Sequence, residues 1–284
     1  MATFYNQATL SYQGRDVVSN ITTGEITEAL TATKTAVTND YGAGDEITYV
    51  VSLVNTGAAS LENLTLTDDL GAYESNTQTL VPLTYVDGSL LYYVNGILQP
   101  TPTVTAADTL TVTPISVPAL GNAMVVYQAR VNVFAPLAEG STVTNEVTIT
   151  GASCTAPVTA DETVTVRSEA ALTITKSLTP TTVTNNGRIT YTFVLQNTGN
   201  REVVATDDAI VTDIFDPILS ALSVTFNGTT WTGGVNYTYD GATGTFATLP
   251  GQITIPAATY TQDPASGAWS VTPGVSVITV SGNI

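Results

Sequence analysis

Hydrophobic and polar residues alternate along this chain in short runs. Ile47 to Asn55 (ITYVVSLVN), Leu64 to Leu70 (LTLTDDL) and Glu146 to Thr150 (EVTIT) follow a period of two. They are rich in β-branched residues and bounded by Gly, Asn, Asp and Pro. Such runs predict strands with one face in a core. Helical periodicity is almost absent, and many short strands at this spacing predict an all-β chain of antiparallel sandwiches.

The runs also repeat. ALTATK from Ala29 matches ALTITK from Ala171, and at the same offset ITYVVSLVNTG from Ile47 matches ITYTFVLQNTG from Ile189. After a short insertion, LTDD at Leu66 matches VTDI at Val211. The chain therefore reads as two domains, 29–169 and 170–284, preceded by a segment 1–28. The TK, ITY…NTG and VTD elements, in this order, resemble the repeat domain found in tandem on bacterial surface proteins and catalogued as domain of unknown function eleven. The resemblance covers nearly the whole chain. It implies immunoglobulin-like β-sandwiches in extracellular stalks and appendages, and no enzyme activity.

The two ends are out of balance. In the first domain a closing hairpin, Val143 to Ile149 then Ala160 to Val166, follows the strand SVPALGNAMVVYQARVN. The second domain reaches the matching SVTPGVSVITVSGNI and stops there. At the N-terminus, FYNQATL (Phe4 to Leu10) and VVSNITT (Val17 to Thr23) form a similar hairpin with no domain in front. Phe4, Asn6, Ala8 and Leu10 align with Val143, Asn145, Val147 and Ile149.

A sandwich lacking its last strands exposes an apolar groove and an unpaired edge. The link from Ile21 to Ala29 spans at most about 27 Å, so self-filling requires the domains to fold back on one another. Donation to a second copy is simpler. Donor and acceptor surfaces differ, so the contact propagates into an open filament by strand addition. The expectation is a head-to-tail homopolymer, an extracellular fibre on a cell or spore surface. The alternative is a tandem surface adhesin or carbohydrate-binding module that does not polymerise.

The chain has only two lysines, Lys34 and Lys176, at the same repeat position. Strand parity puts Lys34 with Leu30 and Ala32, and Lys176 with Leu172 and Ile174. The same parity turns inward Asp68 (with Leu64, Leu66 and Leu70), Asp213 (with Val211 and Phe215), Asn145 and Asn6. Lysine is seldom buried unpaired. This set resembles that of the intramolecular isopeptide bonds of Gram-positive surface proteins and pilins. It implies Lys34–Asn145 assisted by Asp68, and Lys176 with Asn6 of the adjoining copy assisted by Asp213. A non-covalent Lys–Asp pair with Asn bonded alongside fits the same residues.

Composition narrows the function. Acids outnumber bases 24 to 7, a net charge of −17, which disfavours nucleic acid and anionic membrane surfaces. No apolar run approaches the roughly 20 residues of a spanning helix. The first residues lack the features of a signal peptide, so export either follows removal of a signal or uses none. There is no His, no nucleophile elbow, no phosphate-binding loop and no ligand cluster, which argues against an enzyme. Adjacent acids on a strand face opposite ways, so Asp68–Asp69 makes a poor cage. Asp207–Asp208 lies in an inserted turn. Calcium at a domain junction is the one cofactor the acids leave open. The lone Cys154 reads as a buried thiol. Trp231, Tyr237, Tyr239, Tyr260 and Trp269 read as core, with sugar stacking as their other use and a glycan or host surface as the partner.

Overall fold

The computed structural model describes residues 2–26, 29–152, 154 and 156–284. Met1 and the end of the expected N-terminal segment, Thr27 and Glu28, lie outside the described residues. The described chain is all-β apart from a 3-10 turn at Ala205–Asp207, and every strand ladder is antiparallel. It divides into two compact units: Met1–Pro136 with Thr142–Thr165, and Leu137–Ser141 with Val166–Ile284.

Unit 1 is an immunoglobulin-like sandwich of two sheets. One runs in the order Ile97–Gln99, Leu91–Val94, Asn122–Val131, Glu46–Asn55, Leu30–Ala36. The other runs Thr103–Ala106, Leu110–Val117, Leu61–Asp68, Thr142–Thr150, Val158–Val166, Asp40–Tyr41. Alternation does what the sequence pattern predicts. Ile47, Tyr49, Val51 and Leu53 are buried from one sheet, and Leu64, Leu66, Val147 and Ile149 from the other.

Unit 2 repeats the five-strand path of the first sheet as Thr229–Trp231, Ser220–Phe226, Gly274–Asn283, Arg188–Asn197, Leu172–Thr179, without a counterpart of Leu83–Tyr85, which also pairs with Asn122–Val131 in unit 1. Its second sheet is shorter, with the order Thr212–Ile214, Thr245–Thr248, Tyr237–Asp240. These three match Leu61–Asp68, Leu110–Val117 and Thr103–Ala106. In unit 1 two long strands, Thr142–Thr150 and Val158–Val166, and then the short Asp40–Tyr41 lie outside Leu61–Asp68. In unit 2 Thr212–Ile214 is the edge.

The NTG motif closes the same turn in each unit. Asn55 is buried and accepts from Gly57 N at 2.9 Å, while its Nδ2 donates to Ala59 O at 2.8 Å and Pro118 O at 3.0 Å. Asn197 does likewise with Gly199 N (2.9 Å), Arg201 O (2.7 Å) and Pro256 O (3.1 Å). Each Asn satisfies backbone groups that a loop would otherwise leave unpaired.

Residues 2–26 form a two-stranded ribbon. Ala2–Asn6 pairs with Thr22–Ile26, and Thr9–Tyr12 with Arg15–Val18. Gln13 and Gly14, both at positive φ (50° and 75°), make the tight turn that right-twisted strands favour. The sequence predicts one unbroken strand through Phe4, Asn6, Ala8 and Leu10, and here the structure corrects it. Gln7 and Ala8 fall between strands, opposite three residues, Ser19 to Ile21. The extra residue is a bulge on the returning strand, held by Ser19, which donates N–H to Ala8 O (2.8 Å) and accepts at Oγ from Ala8 N (2.9 Å).

Candidate functional site

Three strands bring Lys34, Asp68 and Asn145 into the core of unit 1. Lys34 lies on Leu30–Ala36, Asp68 ends Leu61–Asp68 and Asn145 lies on Thr142–Thr150. All three residues are buried. Lys34 Nζ donates to Asp68 Oδ2 at 2.6 Å, and Tyr127 OH donates to the same oxygen at 2.5 Å. Asp68 Oδ1 accepts from Leu70 N at 3.0 Å. Asn145 Nδ2 donates to the Tyr127 hydroxyl at 3.3 Å, and its Oδ1 accepts from Gly71 N at 3.2 Å. Lys34 Nζ also lies 5.0 Å from the centre of the Tyr49 ring, which stacks on Tyr127.

The electrostatics follow from burial. Desolvation lowers the Lys34 amine below the usual lysine range, against the pull of Asp68. Burial, then the charge of Asp68, raises the Tyr127 phenol well above its ordinary value. The Tyr49 phenol is also raised, chiefly by burial; it senses Asn145 yet completes no hydrogen bond of ordinary geometry. Tyr41 is raised for the same reason. Asp69 points the other way from Asp68 and accepts from Gly71 N (2.8 Å) and Glu146 N (2.9 Å).

A pH dependence follows. Tyr41, Tyr49 and Tyr127 stay protonated in folded unit 1 at pH ~10, where unfolded tyrosines ionise. The unfolded state then binds fewer protons, so stability present below pH ~10 is lost above it. The slope is roughly 1.4 kcal/mol per pH unit for each tyrosine. Lys34 acts oppositely: its lowered folded pKa makes stability rise with pH, but only up to the unfolded lysine value of ~10.4. The urea midpoint of unit 1 should therefore fall steeply above pH ~10.5, and a flat midpoint across that range contradicts this reading.

Unit 2 holds the corresponding pair in the open. Lys176 and Asp213 form an ion pair, but the lysine side chain is 39% exposed, against 0% for Lys34. Asp213 Oδ2 makes no hydrogen bond of ordinary geometry beyond this pair. Lys176 Nζ is walled by the rings of Tyr191 (4.4 Å), Phe215 (5.4 Å) and Phe193 (5.6 Å). Tyr49 faces Tyr127 across its ladder, whereas its counterpart Tyr191 faces Val280, so no second hydroxyl reaches the acid. Leu172 and Ile174 are 50% and 54% exposed, where Leu30 is 2% exposed. Around them lies an apolar groove of about 190 Å³, reaching Val211, Ile253 and Ile255.

The structure thus gathers Lys34, Asp68 and Asn145 in one place, and Lys176 with Asp213 in another. Asn6 lies on the ribbon opposite Thr22. Phe4 (52% exposed) and Leu10 (67% exposed) also lie on the ribbon, and Ala8 falls in its break. Tyr127 and Tyr49 belong to the site and were not singled out by sequence reasoning; the alternation in Ala123, Val125, Tyr127 and Ala129 carried the signal. Trp231 and Tyr237 lie in the unit 2 core, while Tyr260 and Trp269 sit on a separate hairpin. Asp207 caps its 3-10 turn at Val204 N and pairs with Arg201. Cys154 is half-buried. Among the described residues no group of three or more acids or cysteines is placed to hold a metal ion, and no helix is long and apolar enough to cross a membrane.

No family model matches the chain. No curated protein matches it. Solved structures do. The pilus backbone protein RrgB of Streptococcus pneumoniae is 12% identical over 86% of this chain and 55% of its own, with a TM-score of 0.34. The major pilin subunit BcpA of Bacillus cereus is 10% identical over 95% of this chain and 73% of its own, with a TM-score of 0.34. A family 123 glycoside hydrolase from Clostridium perfringens is 14% identical over 49% of this chain and 27% of its own, at 0.31. The chain spans about half the length of the first. Matches this distant, to pilins and to a hydrolase alike, describe a general β-sandwich likeness and no activity.

Proposed function

We propose that this chain is the structural subunit of an extracellular bacterial fibre. In it, the ribbon 2–26 of one copy supplies to unit 2 of the next the two strands that Thr142–Thr150 and Val158–Val166 supply within unit 1. The observation that carries this is the uncovered edge at Thr212–Ile214, with Leu172 and Ile174 exposed beside it. One face of the ribbon carries Phe4, Leu10, Tyr12 and Val17 together with Asn6 and Arg15, and the other carries Thr3, Thr9, Ser11, Asp16 and Thr23 together with Tyr5 and Val18. Each large apolar side chain taken fully from water on docking contributes roughly 1.5–3 kcal/mol. The contact is heterologous, so it leaves one ribbon and one groove open at opposite ends of any chain of copies.

In this reading, Asn6 of the next copy takes the place beside Lys176 and Asp213 that Asn145 takes beside Lys34 and Asp68. A covalent version needs no co-reactant. A neutral lysine Nζ attacks the Asn Cγ, the acid shuttles the proton, the C–Nδ2 bond breaks and ammonia leaves. The lowered Lys34 pKa favours the neutral amine. The non-covalent version is favoured by the closed Lys34–Asp68–Tyr127–Asn145 hydrogen-bond chain, which is complete as it stands. Intact mass separates the two, since each cross-link removes one ammonia.

Negative-stain microscopy of the purified chain tests the fibre. Full-length protein is expected to form filaments, and protein lacking residues 2–26 to remain as folded single copies. Identical filaments from the shortened chain overturn the proposal.

A further inference from the structure

We propose that Tyr12 is the residue by which the ribbon of one copy finds its register on unit 2 of another, filling the groove over Ala209. This rests on the strand-exchange reading above and adds the contact that sets its specificity.

Unit 1 supplies the template. Along its closing strand Val143, Asn145, Val147 and Ile149 point inward, and Gly151 follows at the same parity. A Cβ on Gly151 would lie 2.8 Å from Leu64 Cδ2, and Leu64 is fully buried. Leu64 fills the space, so a larger residue above it would have to displace the Leu64 side chain. Placing Asn6 on Asn145 puts Leu10 on Ile149 and Tyr12 on Gly151. The ribbon's bulge is on the returning strand, so the parity from Phe4 to Tyr12 is kept. Tyr12 is 69% exposed, beside the Gln13–Gly14 turn and on the face of Leu10.

The acceptor is changed at the matching point. Leu64 lies four residues before Asp68, and Ala209 lies four before Asp213. Asp68 and Asp213 are structurally equivalent, since Leu110 faces the one and Phe246 the other across matching ladders. Ala209 packs on the edge of the unit 2 core and lines the groove with Leu172, Ile174, Val211 and Ile255. The large-and-small pair is therefore reversed. Within unit 1 it is Leu64 with Gly151; between copies it is Ala209 with Tyr12. A tyrosine suits such a seat, with its ring in the apolar hollow and its hydroxyl at the wet rim. A ribbon slipped by two residues would bring Tyr12 to the place of Leu10 beside Val211 and leave the hollow over Ala209 empty, which gives the register its selectivity.

The test uses full-length chains carrying Ala209→Leu or Tyr12→Gly. Each variant alone is expected to need about tenfold more protein than wild type to form filaments, one through overpacking and the other through a void. An equimolar mixture is expected to return to wild-type behaviour, because each acceptor then meets a ribbon of complementary size. The double variant in one chain should also assemble. Recovery on mixing shows in itself that both variants are folded, and an unchanged thermal melt of Ala209→Leu checks this separately. If Ala209→Leu assembles like wild type, or mixing gives no recovery, the Tyr12 contact is overturned. Strand exchange still stands in that case provided removal of residues 2–26 stops assembly. Wild-type copies that never associate, or filaments indifferent to that removal, overturn both.

Discussion

Replacing Asp68 by alanine is expected to lower the stability of unit 1 by about 3–5 kcal/mol, because it leaves a buried ammonium without its counter-ion. Lys34 has no route to water from its position, with side-chain exposure of 0%. Tyr127 loses its acceptor in the same step, and Leu70 N loses its own. The matching change in unit 2, Asp213→Ala, is expected to cost no more than about 1 kcal/mol, since Lys176 can turn to solvent. Urea unfolding of the two variants side by side measures the difference. Equal losses would mean that the two pairs are equally sealed, contrary to their exposures. Pairing Asp68→Leu with Lys34→Met should recover much of the loss, because an apolar pair owes no desolvation.

Phe215→Ala is expected to destabilise unit 2 by about 3–5 kcal/mol, the usual range for truncating a buried ring. Phe215 is 1% exposed and stacks on Tyr191 at 4.9 Å, with Phe246 at 5.7 Å and Tyr239 at 6.2 Å. These rings belong to both sheets of the unit, so the cavity cannot close by moving one strand. The loss should appear in the unfolding of unit 2 and leave the alkaline behaviour of unit 1 unchanged. Phe215 also walls Lys176, so the variant should expose that lysine to acylating reagents faster than wild type. A loss under about 1 kcal/mol would show a core loose enough to refill the space.

Much of this arrangement could be read from alternation alone. Period two placed Lys34, Asp68 and Asn145 on inward faces, because a strand buried on one side leaves no freedom of register. The NTG turns were legible as repeats, though the reason for the asparagine, its two donated bonds to loop carbonyls, needed the fold. Other features depend on pairing and were hidden. Whether Gln7 and Ala8 continue a strand is decided by the number of residues opposite them, not by their own pattern. Tyr127 joins Asp68 from a strand far along the chain. The contrast between Lys34 and Lys176 could not be read from parity, since both point inward; what differs is whether two more strands cover them.

Lys34 has one more consequence, for mechanical load. A pull along the backbone enters unit 1 at the strand Leu30–Ala36, which is the edge of its sheet. Peeling that strand from its neighbour requires Lys34 to leave Asp68, which belongs to the facing sheet, and to drag a charge out between the two layers. The ion pair therefore acts as a rivet through the sandwich at the place where tension arrives. Its influence falls on the rate of rupture, the quantity that sets how long a domain lasts under force, as well as on the equilibrium stability that the unstretched molecule shows.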